Sequence, residues 1–198
     1  MTDNMELWRK VEKTDPKHTK KANVGGNQIT AIKPQYQIQC ATEVFGPYGT
    51  SWGFKDLTLS VTLAGEFGLV VLHAIFYYPG GDFPIINSAK LYKDNAKTKV
   101  DDDFAKKVET DALTKALSKL GFNADIFLGR FDDMRYVDEM NAEFADKPKL
   151  TPEDTEYWGR AKAAFKKDGN LDRVLSSMDI SPEHQAQLQA EVKQEQSE

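Results

Sequence analysis

The chain is poor in the residues that most often carry chemistry. Its 198 residues include one cysteine, Cys40, and three scattered histidines, His18, His73 and His184. A single cysteine excludes an intramolecular disulfide and suits a reducing cytosol. These histidines have no zinc-ligand spacing. No run of 18 apolar residues occurs, so no segment reads as membrane-spanning. The N-terminal stretch MTDNMELWRK has no apolar core of the signal-peptide kind, so no secretory leader is expected. Neither G-x-x-x-x-G-K-[ST] nor G-x-G-x-x-G is present, so ATP use is not indicated.

The composition is that of a folded protein: 40% hydrophobic and 29% charged, enough for one packed domain and an appendage. The net charge is -5, which taken alone argues mildly against a polyanionic partner. Its distribution is uneven. From Tyr136 onward there are 8 Lys/Arg and 14 Asp/Glu, a net of -6, which leaves residues 1–135 at +1. The acidity belongs to the tail, and the remainder carries clusters.

The first cluster is WRKVEKTDPKHTKK at 8–21. It reads either as a solvated arm or as a phosphate-contacting segment, because closely spaced lysines release counterions from a polyanion. Gly25–Gly26 makes a turn and Gln28 to Ile32 a short strand. Pro34 suits the first turn of a helix, PQYQIQCATEVFG. Ile38, Ala41, Val44 and Phe45 share a face, and Gly46–Pro47 stop it. Cys40 reads as a small buried residue. In GPYGTSWGF, Trp52 is expected in the core, while Tyr48 is either core or a stacking platform for a base.

A β region follows. Leu57, Leu59, Val61 and Leu63 alternate with polar residues, which predicts a half-buried strand. After the turn AGEFG, the apolar run Leu69 to Tyr78 pairs back as a hairpin. His73 within it reads as a satisfied sheet histidine. PGGDFP is a second turn, and Ile85 to Tyr92 a third strand. Lys90, Lys93, Lys97 and Lys99 form an exposed loop or a second basic patch.

The clearest helix begins at Asp101–Asp103, whose carboxylates suit an N-terminus. Phe104, Val108, Ala112, Ala116 and Leu120 recur at i+4, with Ala105, Leu113 and Leu117 widening the stripe, so this helix covers the sheet. Beside it run Lys107, Asp111, Lys115 and Lys119. Lys107–Asp111–Lys115 can pair. Lys115 and Lys119 either solvate the helix edge or line a groove for phosphates. Gly121 ends the helix. Asp125, Asp132 and Asp133 could suggest a metal, and a magnesium-dependent nuclease is one alternative. Their spacing is weak, and capping or ion pairing is the plainer reading. Residues 145–152, ADKPKLTP, read as a linker. Helices are then expected over Thr151 to Lys167, Leu171 to Met178 and Ser181 to about Lys193. Tyr157, Trp158, Ala161, Ala164 and Phe165 would hold them together.

The expected fold class is α+β. An antiparallel β-meander of about three strands packs on a long amphipathic helix over residues 1–144, and a small acidic all-helical module occupies 150–198.

Two blocks resemble the Rad fifty-two family of single-strand annealing proteins and its phage relatives. In GGNQITAIKPQYQIQCATEVFGPYGTSWGF, Ala41, Glu43, Phe45, Gly46, Gly49 and Trp52 match the family's A-N-E-x-F-G helix and G-W turn. In DFAKKVETDALTKALSKLGFNADIFLG, Lys107, Val108, Thr110, Asp111, Leu113, Lys115, Ala116, Leu117 and Gly121 match its K-E-A-V-T-D-x-L-K-R-A-L-R-x-F-G helix. The resemblance spans about residues 17–140. It implies no enzyme, no cofactor and no metal. It implies ATP-independent binding of single-stranded DNA and annealing of complementary strands in recombination and repair. The expected form is a homo-oligomeric ring or filament, in the cytoplasm of a host cell if the gene is a phage's. A protein that coats single strands without annealing is the alternative, and a module whose lysines only solvate it is another. The DNA contacts implied or read from the clusters are Lys17, Lys20, Lys21, Lys33, Tyr36, Tyr48, Lys107, Lys115 and Lys119. Family basic positions fall here on Tyr36, Thr114 and Ser118. The lysines at 17–21 and Lys33 can compensate, or Tyr36 can stack on a base. By analogy, residues 150–198 would contact an exonuclease or the host single-strand-binding protein.

Overall fold

The computed structural model describes residues 3–61 and 68–195. The chain is mixed α+β and divides into two compact units, residues 1–144 and 145–198. No helix among the described residues is long and apolar enough to cross a membrane.

The first unit opens with helix α1, Glu6–Val11, a 3-10 turn at Pro16–His18, and strands β1, Thr19–Val24, and β2, Asn27–Ile32. Most of residues 8–21 therefore fall in a helix, a 3-10 turn and a strand, which goes against the solvated-arm reading of that segment. β1 and β2 pair antiparallel through the two-residue loop Gly25–Gly26. Both glycines have positive φ, 60° and 89°, the requirement of the tight hairpin turn that matches strand twist. Helix α2, Pro34–Phe45, starts at proline and stops at Gly46 (φ 94°), as the sequence indicates.

Strands β3, Gly53–Ser60, β4, Leu69–Tyr78, and β5, Gly81–Lys90, form an antiparallel meander in the order β3-β4-β5. In the central strand Val70, Leu72, Ala74 and Phe76 point into the core, while His73 is exposed on the other face. Helix α3, Phe104–Lys119, lies across β5 and β4 and buries Val108, Ala112, Leu113, Ala116 and Leu117. Trp52, Phe76, Ile85 and Phe122 complete that core. Then come α4, Ala124–Phe127, a 3-10 turn at Arg130–Asp132, and α5, Met134–Glu143.

Two expectations fail in the meander, and one at the start of α3. β5 begins at Gly81, because the chain reverses through Pro79–Gly80 alone and GDFP joins the strand. Pro84 is tolerated because β5 is an edge. β3 is not half-buried: Leu57 and Leu59 are 41% and 39% exposed. Asp56 takes φ 54° at a register shift between Lys55 and Thr58. Leu59 pairs with Leu72, so it faces the core side of the sheet, but α3 stops short of covering β3. Leu63 and the turn before Gly68 lie outside the described residues. At the start of α3, Asp103 makes no side-chain cap. Asp101 accepts from the Asp103 N–H at 3.2 Å instead.

The second unit holds α6, Thr155–Asp168, α7, Asp172–Ser177, and α8, Pro182–Glu195. Leu150, Trp158, Ala161, Val174, Leu188 and Val192 form its core. Tyr157, expected inside, is exposed. Thr151–Pro152 precede the helix start rather than cap it, whereas Ser181 Oγ does accept from the His184 N–H, at 3.2 Å. The expected linker is in fact a wall of this unit. Leu150 is buried, its N–H donates to Asp179 O at 2.8 Å, and Asp179 N–H donates to Pro148 O at 3.0 Å.

Candidate nucleic-acid interface

Five of the expected residues lie on the 3-10 turn, the hairpin and the adjoining start of α2. The His18 carbonyl accepts from the Lys33 N–H at 2.9 Å, which joins the 3-10 turn to the start of α2. Lys33 Nζ donates to the Lys17 carbonyl at 2.7 Å. Register places Lys20 opposite Ala31 and Lys21 opposite Thr30, whose hydroxyl accepts from Lys21 Nζ at 2.8 Å. Strand alternation sends Lys20 and Lys21 to opposite faces of the hairpin. The His18 ring stacks on Tyr36, with centroids 4.0 Å apart and planes 4° from parallel. One face of Tyr36 is thus already occupied. Burial, with Cys40 beside it, pushes the Tyr36 phenol well above its ordinary value.

Lys20 stands at the rim of a groove of about 530 Å³ between the hairpin and the α4 segment. Ile29, Ile32, Phe127 and Phe131 give it an apolar lining; Asp111, Thr114 and Asp132 also border it. Phe127 is 51% exposed and Leu128 and Ile29 are also open to solvent. The groove is apolar with one lysine, Lys20, in its lining, not a channel of lysines. The sequence reading passed over Phe127. Its signal was the unbroken apolar run Ile126-Phe127-Leu128 just beyond the Gly121 helix stop.

Asp125 ties the α4 segment to the chain ahead of the 3-10 turn and to α5. Its buried carboxylate accepts from Thr14 N–H at 2.7 Å, Thr14 Oγ1 at 2.6 Å, Tyr136 OH at 3.0 Å and its neighbour Ile126 N–H at 2.8 Å. Asn123 and Asp125 N–H groups donate to Val11 and Glu12 carbonyls. Burial raises the Asp125 carboxyl above the usual range, against the pull of its donors. Asp133 caps α5 through the Arg135 N–H at 2.9 Å. These aspartates do structural work. The acidic trio that comes together among the described residues is Asp101–Asp103, where Lys93 and Lys107 bind the carboxylates.

The helix lysines lie elsewhere. Lys107 pairs with Asp101 and, with its other contacts, holds that carboxyl below the ordinary range. The expected Lys107–Asp111–Lys115 pairing is replaced by this bridge and by Lys115 Nζ donating to Asn87 Oδ1 at 3.3 Å. Lys119 Nζ sits 5.5 Å from the centre of the Phe83 ring. Lys115 and Lys119 therefore flank α3 on its β5 side. Thr114, which borders the hairpin groove, lies toward the opposite flank, and Asp111, one turn before Lys115, stands between them. In the 90–99 loop Lys93 is paired with Asp102, and the Asp94 carboxylate holds Thr98 and Lys99 N–H groups at 3.1 and 3.0 Å. The second patch is partly neutralised.

Trp52 is fully buried and donates from Nε1 to Gly46 O at 2.9 Å, as expected of a core residue. Tyr48 packs edge-on against it, centroids 4.9 Å apart, and stays 45% exposed. It walls a cleft between α2 and α3, and burial followed by the Glu109 charge raises its phenol.

The second unit, taken by itself, has a groove of about 430 Å³. Its floor includes Ala161, Ala164 and Val174, and its charged lining is Arg160, Lys167 and Arg173. No protein-family model matches the chain, and no curated protein matches it.

Proposed function

We propose that the first unit binds single-stranded DNA and anneals complementary strands without ATP. The observation that carries this reading is an apolar groove with an exposed phenylalanine and Lys20 at its rim, beside the turn where Lys33 meets Lys17. Cations at a rim take phosphates without reading sequence. An aromatic and aliphatic floor takes the π-face of any base. Lys115 and Lys119, on the other flank of α3, provide a second track for the backbone.

Annealing by a chain this small calls for several copies acting along one strand, which multiplies weak contacts. The exposed Leu57 and Leu59 on the edge strand β3, with Val61 just beyond it, support assembly through that edge, since an open edge and an apolar row together favour strand addition. The second unit then serves as the partner contact, with an exonuclease or host single-strand-binding protein as candidates and the cation-lined groove as the contact surface. The work takes place in a cytoplasm.

The test is annealing of complementary oligonucleotides with and without ATP and magnesium, with the mass of the complex measured alongside. Annealing that needs neither supports the reading, and absence of single-strand binding at low salt ends it. The apolar floor also favours a second reading, coating without annealing, because bases held in the groove are not free to pair. Binding without strand annealing selects that alternative.

A further inference from the structure

The cleft between α2 and α3 differs in chemistry from the hairpin groove beside it. It holds about 290 Å³, close to the lower end for small-ligand sites. Pro34, Ile38, Leu113 and Leu117 make it apolar, and the half-exposed Tyr48 ring stands at its side. No lysine, arginine or histidine lines it. Its polar lining is dominated by groups able to accept: the Glu109 carboxylate, the Thr114 hydroxyl and the Gln37 carboxamide.

Gln37 is the informative residue. It is a helix residue buried to 1% exposure in an otherwise apolar setting. Its Nε2 donates to Phe122 O at 3.3 Å, and its Oε1 has no partner among the described residues. A buried carbonyl left unpaired is costly, and a ligand that donates to it recovers that cost. Pro34 and Thr114 line both this cleft and the hairpin groove, so the two adjoin there. Lys33, next to Pro34, belongs to the cationic corner.

We propose that this cleft is a nucleobase pocket that receives one base of the bound strand, with preference for a base bearing an exocyclic amine. The inference rests on the single-strand-binding reading. Phosphates stay with the lysines of the corner, and one base turns inward past Pro34 onto Tyr48. Absence of cations in the cleft excludes the phosphate itself. The acceptor-rich lining suits the cytosine amino group. Thymine offers only one N–H, set between two carbonyls that would face other acceptors.

The experiment compares fluorescently labelled oligo-dC and oligo-dT of equal length, pyrimidines that differ at this edge, by anisotropy at fixed salt. Wild type should bind oligo-dC at least about threefold tighter, the factor that one net hydrogen bond supplies. Gln37→Leu keeps the volume and removes the acceptor; Tyr48→Ala removes the exposed wall. Both should erase the preference while oligo-dT binding persists. If Gln37→Leu fails to fold, shown by its circular dichroism, Tyr48→Ala decides. Equal wild-type affinity for the two oligomers overturns the pocket and leaves the single-strand reading intact. A preference that survives Tyr48→Ala overturns the location. Binding of neither oligomer overturns both.

Discussion

Replacing Lys20 and Lys33 with alanine together tests where the phosphates lie. Both side chains are on exposed segments, and the one hydrogen bond lost, Lys33 Nζ to Lys17 O at 2.7 Å, is a surface bond. Stability should therefore change by no more than about 1 kcal/mol. Binding should change far more. Each phosphate neutralised on a single strand contributes about 0.7 to the slope of log affinity against log salt. Removing two contacts flattens that slope by about 1.4. Between about 50 and 200 mM salt, this removes roughly a sevenfold factor from the wild-type loss of affinity. The assay is a salt titration of anisotropy with a labelled single strand. Lys107→Ala is the control: that ammonium is committed to Asp101, so its slope should match wild type. Lys115→Ala with Lys119→Ala measures the second track, and a flattened slope there is also expected. A double variant Lys20→Ala, Lys33→Ala with an unchanged slope would refute the cationic corner as the phosphate site.

Gly121→Ala should destabilise the first unit by about 2–4 kcal/mol, since φ is 96° and a Cβ would meet the Trp8 ring at 2.7 Å; a urea midpoint equal to wild type would contradict that packing. Leu57→Glu with Leu59→Glu should lower the oligomer mass seen by light scattering without lowering the melting temperature, and an unchanged mass would place assembly elsewhere. In the second unit Lys162 and Lys166 hold the Glu195 carboxyl down to about 2. A depressed carboxyl stabilises above its ordinary value, and that contribution fades as pH falls from the usual glutamate range toward about 2. Amide signals of α8 should therefore show acid unfolding at higher pH in Glu195→Gln than in wild type, and coincident midpoints would refute the pairing.

The legible parts of this fold were those written locally. Pro34 and Gly46 bracket α2, and an i+4 apolar row spells out α3. Leu69 to Tyr78 carries enough β-branched and aromatic residues to read as a central strand. What escaped was set by distant partners. TKKANV shows no apolar alternation, so β1 reads as coil until β2 pairs with it. The row Leu57–Leu59 has the pattern of a buried face, but burial depends on how far α3 extends across the sheet, which no strand sequence records. Leu150 looked like part of a linker because Pro148 and Pro152 flank it, and only its bonds to Asp179 reveal it as a wall. The site was legible as a set of lysines and two tyrosines. Its grouping was not, because which lysines share a corner depends on the hairpin register and on Asp125.

The Asp125 clasp has a consequence for the order in which the molecule becomes competent. Thr14 and Asp125 are 111 residues apart, yet they are joined by a buried hydrogen bond. The hairpin pairs neighbours in sequence and can form early, whereas contacts this remote close late in folding. During synthesis the lysine corner leaves the ribosome long before Phe127, so a nascent chain displays cations without an apolar floor. The groove lining is complete only when α4 has arrived. The second unit is synthesised after that point, when the groove is already whole.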